Sequence, residues 1–170
     1  NPWSYSYPAR AARAAMQVFE GLTRNYGKPS WAITEVAIAG QRVGVVEGVV
    51  SQAPFCQLRR FTLADVAASK REKPRPTMLV VAPLSGHYAS LLRGTVRTLV
   101  EDFDVYVTDW RDAREVPAAA GRFALDDYID YVLGYMRTLG PNLHVLAVCQ
   151  PGPAVLAATA LLAEEGRGPQ

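Results

Sequence analysis

Between His144 and Leu162 the sequence reads HVLAVCQPGPAVLAATALL, and its character changes once. Val145 to Val148 suits a buried strand and the alanine-rich run after Pro151 suits a helix, with Cys149 and Gln150 between them. A strand that feeds a helix through so few residues needs a sharp turn, which forces one residue into a sparsely populated backbone region and crowds its neighbours. Small flanking residues are therefore required. Ala147 meets that need two positions before Cys149; two positions after it stands Pro151, which fits a first helical turn because no backbone donor is needed there. This is the pattern of a nucleophile elbow with Cys149 as the candidate nucleophile, departing from G-x-S-x-G at both small positions. The spacing fits a buried structural cysteine at the end of a core strand as well, because free Cys packs as a small hydrophobe.

The chain around this turn has 170 residues, 49% of them apolar, enough for one domain with its own core. Its longest apolar run, Ala154 to Ala163, has ten residues and contains a threonine, too short to span a bilayer. With 18 basic and 16 acidic side chains the formal charge is +2, which supplies no field to steer a nucleic acid or an anionic membrane. Cys56 and Cys149 are the two cysteines, and nothing around them suggests a disulfide framework, which favours free thiols in a reducing compartment. The start at Asn1 carries no basic and hydrophobic leader.

Residues 1–29 open with an aromatic, proline-bounded segment, Asn1 to Pro8, expected to lie extended and dock the rings of Trp3, Tyr5 and Tyr7. From Ala9 to Asn25, Ala12, Ala15, Met16, Phe19 and Leu22 recur at intervals of three and four, one apolar face of a helix that Gly27 and Pro29 end. Residues 30–76 hold three strands: Trp31 to Ala39, Arg42 to Ser51 after a turn at Gly40-Gln41, and Phe55 to Leu63. Their short connections demand antiparallel pairing. Val43, Val45 and Val49 should share a face, and Cys56 should pack without reacting. Ala64 to Pro76, with Lys70, Arg71, Glu72, Lys73 and Arg75, reads as a solvated connector.

Residues 77–170 follow another grammar. Met78 to Ala82 is a continuous apolar run of the kind buried on both faces of a parallel sheet. Pro83 to His87 reads as a loop, Tyr88 to Val100 as a helix through Leu91, Leu92, Val96 and Leu99, Asp104 to Thr108 as a strand, and Asp109 to Gly121 as a loop. Asp126 is the expected N-cap of a helix from Asp127 to Leu139 with Tyr128, Tyr131, Val132, Tyr135 and Met136 on one side, stopped by Gly140-Pro141. Alternation of strand and helix implies right-handed parallel crossovers. An antiparallel opening followed by such a doubly wound half is the α/β-hydrolase order.

VAPLSGHYASLLRGTV, DVYVTDWRDAREVP, GRFALDDYIDYV and HVLAVCQP together resemble the intracellular polyhydroxyalkanoate depolymerases, specifically the poly(3-hydroxybutyrate) depolymerase family, and the similarity runs from NPWSYSYPAR to the helix after Cys149. In that family the elbow carries cysteine, and Cys149 matches it. The resemblance implies a carboxylic ester hydrolase that cleaves a 3-hydroxyalkanoate polyester at cytoplasmic granules through a cysteine acyl-enzyme, with no cofactor and no metal. One oxyanion donor is then the backbone N–H of Gln150 and the other that of Leu84, with Ser85 next in the loop and Gly86 permitting its turn. His87 precedes the nucleophile, whereas the acid and histidine of this fold follow it, so His87 is expected to shape the oxyanion loop or line the mouth of the substrate pocket. Trp110 is expected to wall the acyl pocket and Asp109 to order turn amides. His144, a strand's length of roughly 15 Å from Cys149, is read as structural. No phosphate cradle, C-x-x-C pair or H-E-x-x-H spacing occurs.

An α/β-hydrolase needs further parallel strands to carry its Asp and His, and this sequence stops at Gln170. Residues 1–170 are accordingly expected to be a single, incomplete domain, the N-terminal half of a longer enzyme whose other half supplies those residues. Alone it should turn over poorly, with its elbow strand left as an apolar edge. Two other functions fit the same residues. A polyhydroxyalkanoate synthase shares the fold and a cysteine elbow but builds polymer from coenzyme A thioesters, and it carries glycines around that cysteine. A non-catalytic protein of this fold could dock on granules through Trp3, Tyr5 and Tyr7.

Overall fold

The computed structural model describes residues 6–24, 27–64, 75–84 and 88–166. Trp3, Tyr5, Ser85, Gly86, His87 and the connector residues Lys70 to Lys73 lie outside the described residues.

Six strands form one sheet in the order β1-β2-β3-β5-β4-β6, where β1 is Glu35–Ile38, β2 Gln41–Gln52, β3 Cys56–Leu63, β4 Thr77–Val81, β5 Asp104–Trp110 and β6 Leu143–Ala147. The first three run antiparallel, β3 is antiparallel to β5, and β4 lies parallel to both β5 and β6. This mixed sheet, with an antiparallel opening and parallel strands behind it, is α/β-hydrolase-like. The unbroken apolar run in β4 has its reason here: Leu79, Val80 and Val81 are covered on both faces and have no exposed surface. Phe61 of β3 packs on Trp31 with ring centroids 4.9 Å apart. Helices α1 (Tyr7–Thr23), α2 (Arg93–Leu99), α3 (Leu125–Leu139) and α4 (Gly152–Glu164) complete the described chain, and α3 packs against α4.

Several local expectations change. The hairpin turn is Ala39-Gly40, not Gly40-Gln41, because Ile38 pairs with Gln41 and both turn residues are left-handed at φ 48° and 79°, the twist a two-residue hairpin needs. α1 begins at Tyr7, with Pro8 in its first turn, so Tyr7 is helical instead of extended. Its apolar stripe meets nothing among the described residues: Met16, Phe19 and Leu22 are all exposed. Phe19→Ser should therefore move the unfolding free energy by no more than about 0.5 kcal/mol, as for an ordinary surface site. A larger loss on urea titration would mean that the stripe is covered.

The expected helix at Tyr88 opens as a 3₁₀ turn, Ala89–Leu92, before α2; the tighter winding turns Leu91 outward while Leu92 and Val96 stay buried. Ala124, not Asp126, is the N-cap of α3, and the Asp127 carboxylate caps it from inside by accepting from the Ala124 N–H at 2.6 Å. Arg75 is no surface charge. Its guanidinium donates to the carbonyls of Val100, Glu101 and Phe103, just past the C-terminal end of α2, where a cation meets unpaired acceptors.

Cys56 is fully buried beside β5, and that burial pushes its thiol up from 9.0 to about 12. Burial moves the phenols of Tyr128 and Tyr135 upward as well. The fold thus favours the protonated thiol, a contribution complete below pH 9 and lost as the pH climbs toward 12, worth about 4 kcal/mol for Cys56. Denaturant titrations between pH 9 and 12 should show stability falling, more shallowly in Cys56→Ala than in wild type. Equal slopes would contradict the burial argument.

Candidate active site

β6 delivers the chain to the same sheet edge as the end of β4: Val81 pairs with Ala147, and the Val148 N–H reaches the Val81 carbonyl at 3.3 Å. One residue later Cys149 adopts φ +66°, left-handed for a side chain with a Cβ, at a cost of about 1–3 kcal/mol. The turn is fixed from both sides. The Gly152 N–H donates to the Cys149 carbonyl at 3.2 Å, Pro151 is buried at the helix cap, and the first helical bond runs from the Val155 N–H to the Pro151 carbonyl at 2.9 Å. Pro153 sits in the same first turn, where neither proline leaves a donor unsatisfied. Cys149 itself is exposed, three residues ahead of the first residue of a 13-residue helix. The reading of Cys149 as a sealed structural cysteine does not hold.

Across from it, the loop after β4 is clamped at Ala82. Its N–H donates to Thr108 Oγ1 at 2.9 Å, and its carbonyl accepts from Trp110 Nε1 at 3.0 Å. Both partners belong to β5, so the neighbouring strand sets the path of the chain two residues before Leu84. Neither bond is visible in the sequence, because Thr108 is one polar residue of β5 beside Asp104 and Asp109.

The resemblance implies that the amides of Leu84 and Gln150 face a substrate oxygen. The fold brings the two residues together, but the Leu84 N–H already has an acceptor, the side-chain Oε1 of Gln150, at 2.9 Å. A backbone donor left open beside an amide side chain is satisfied by it. Trp110, expected in a loop, is the last residue of β5; it is buried and lines a cavity of about 1150 Å³ together with Leu84, Phe55 and Phe123. Cys149 is not among the residues lining that cavity.

Asp109 does not order turn amides. The β3–β5 ladder extends through Gln57↔Asp109 to Cys56↔Trp110, which takes Asp109 into the sheet with no exposed surface. There its Oδ2 accepts from Lys28 Nζ and from Arg59 Nε, the latter at 2.5 Å. Asp112 is the residue that caps a turn, accepting from the Arg114 N–H at 2.9 Å. His144 stands at the far end of β6, edge-on to Phe103 with ring centroids 5.5 Å apart, and plays no part here. Among the described residues no three His, Cys, Asp or Glu side chains cluster as a metal site would require, and no helix is long and apolar enough to cross a membrane.

Neither a family model nor a curated protein matches this chain. Among solved structures, an ester hydrolase from the metagenome of Lake Arreo, in complex with a derivative of bipyridine phosphonate, is similar over 94% of this chain at 17% identity and a TM-score of 0.49. The chain spans 49% of that protein's length.

Proposed function

We propose that this chain carries the nucleophile half of a carboxylic ester hydrolase acting on 3-hydroxyalkanoate polyesters, with Cys149 forming the acyl-enzyme. The observation that carries the reading is the strained φ of +66° at an exposed cysteine, between a parallel strand and the first turn of a helix. Strain of this kind persists where a side chain must be presented to something. A packing cysteine gains nothing from it.

In this reading the Cys149 thiolate attacks the ester carbonyl, the carbonyl oxygen becomes an oxyanion, and the backbone N–H groups of Gln150 and Leu84 stabilise it. Losing one such donor typically costs about 3 to 4 kcal/mol. The Gln150 side chain must swing away from Leu84 for the substrate oxygen to take the place of Oε1. The proton acceptor for the thiol and its orienting acid are, in this reading, the histidine and acid that follow the nucleophile in this fold, and His144, at the far end of β6, is not that acceptor. Ser85 and His87 would then shape the oxyanion loop and the pocket mouth. The site of action is the surface of a cytoplasmic polyester granule.

Amorphous poly(3-hydroxybutyrate) granules incubated with the protein should release 3-hydroxybutyrate, slowly with these 170 residues and faster when the histidine-bearing segment is present. Cys149→Ala should abolish release in both. Consumption of hydroxybutyryl-coenzyme A with growth of polymer would point to a synthase instead, and granule binding without turnover to a docking protein.

A further inference from the structure

The cavity beside Leu84 carries charge for which a neutral polyester has no use. Among the described residues four arginines line it, Arg24, Arg93, Arg111 and Arg114, against one carboxylate, Asp112. That carboxylate is already taken, because the Arg114 guanidinium forks onto it at 2.6 to 3.1 Å and the bonding holds Asp112 below its usual range. Arg24 pairs with Glu20 at 3.2 Å. Two guanidiniums remain without an acid. Arg93 donates to the Ser30 carbonyl and has no carboxylate partner among the described residues, and half-buried Arg111 has no side-chain hydrogen bond or ion pair among them.

An arginine is charged at every accessible pH, and its planar fork matches a carboxylate. Lodging unmatched guanidiniums in a concave site focuses positive potential into it. One part of the remaining wall is aromatic: Phe123 lies 4.7 Å from Phe55 and 5.8 Å from Trp110 between ring centroids. Hydrocarbon and carboxylate are thus both provided for, and Leu84, the candidate oxyanion donor, lines the same space.

We propose that this cavity binds an ester bearing a free carboxylate, with Arg111 and Arg93 taking the acid group and the rings of Phe55, Trp110 and Phe123 taking the chain. The inference rests on the hydrolase reading for the ester and narrows it: the substrate is an acid-ended oligomer or half-ester, not the interior of a neutral polymer.

The test uses the 170-residue protein and two small probes, monomethyl succinate and its neutral counterpart dimethyl succinate, titrated against tryptophan fluorescence with calorimetry as a check. The half-ester should bind at least about tenfold more tightly than the diester, as one charge-assisted contact allows. Arg111→Met should bring the two to parity, while Arg111→Lys keeps part of the preference. Inorganic phosphate should bind more weakly than the half-ester. Equal affinity for the two probes, a preference untouched by Arg111→Met, or phosphate binding as tight as that of the half-ester would each overturn the proposal. The hydrolase reading fails separately: a Cys149 that never acylates leaves the half-ester preference in place, and Cys149→Ala should not alter it.

Discussion

Iodoacetamide at pH 8 is expected to alkylate Cys149 at least about 10³-fold faster than Cys56, since the thiolate is the reacting species. With its thiol raised to about 12, Cys56 holds a thiolate in roughly one molecule in 10⁴ at that pH, and it has no surface for the reagent to reach. Its reaction has to wait for the sheet to open. Cys149 sits on the surface just ahead of α4, where the reagent can reach it. Peptide mapping after partial labelling reads the ratio directly. Comparable labelling of both cysteines in native protein would remove the distinction between a packed thiol and a presented one.

Asp109→Ala is expected to cost about 3–5 kcal/mol, the usual penalty for breaking a buried ion pair from one side. The carboxylate has no exposed surface, and its removal leaves Lys28 without its acid and the 21%-exposed side chain of Arg59 with Glu47 alone. Against a total stability of about 5–15 kcal/mol, that is a large share. The paired control is Asp112→Ala, which removes a turn cap and a pair with the largely exposed Arg114 and should cost no more than about 2 kcal/mol. Urea midpoints for both variants provide the comparison. An Asp109→Ala midpoint within error of wild type would mean that the buried charge is compensated elsewhere.

What was legible in the sequence is what depends on neighbours along the chain. The unbroken run in β4 and the step from Val145–Val148 into an alanine-rich helix each reflect local burial and local turn chemistry, and both stand at their expected places. The departures share a non-local cause. Asp109 reads as a loop residue because a carboxylate inside a sheet is costly unless paired, and one of its partners is 81 positions away. Gln150 reads as a backbone donor only, because its side chain's partner, Leu84, is 66 positions away. Ala39 hides its turn because alanine avoids left-handed backbone, and the register with Gln41 overrides that preference. The arginines around the cavity are scattered from Arg24 to Arg114, so no window of sequence contains them.

The most direct measurement follows the acyl group. When p-nitrophenyl butyrate meets the protein, the Cys149 thiolate should attack the carbonyl carbon, expel p-nitrophenolate and leave one butyryl thioester, which mass spectrometry should find on the peptide containing Cys149 and nowhere else. Cys149→Ala should carry none. An acyl group found on another residue, or none at all on a Cys149 that iodoacetamide readily alkylates, would contradict the assignment of this thiol as the nucleophile.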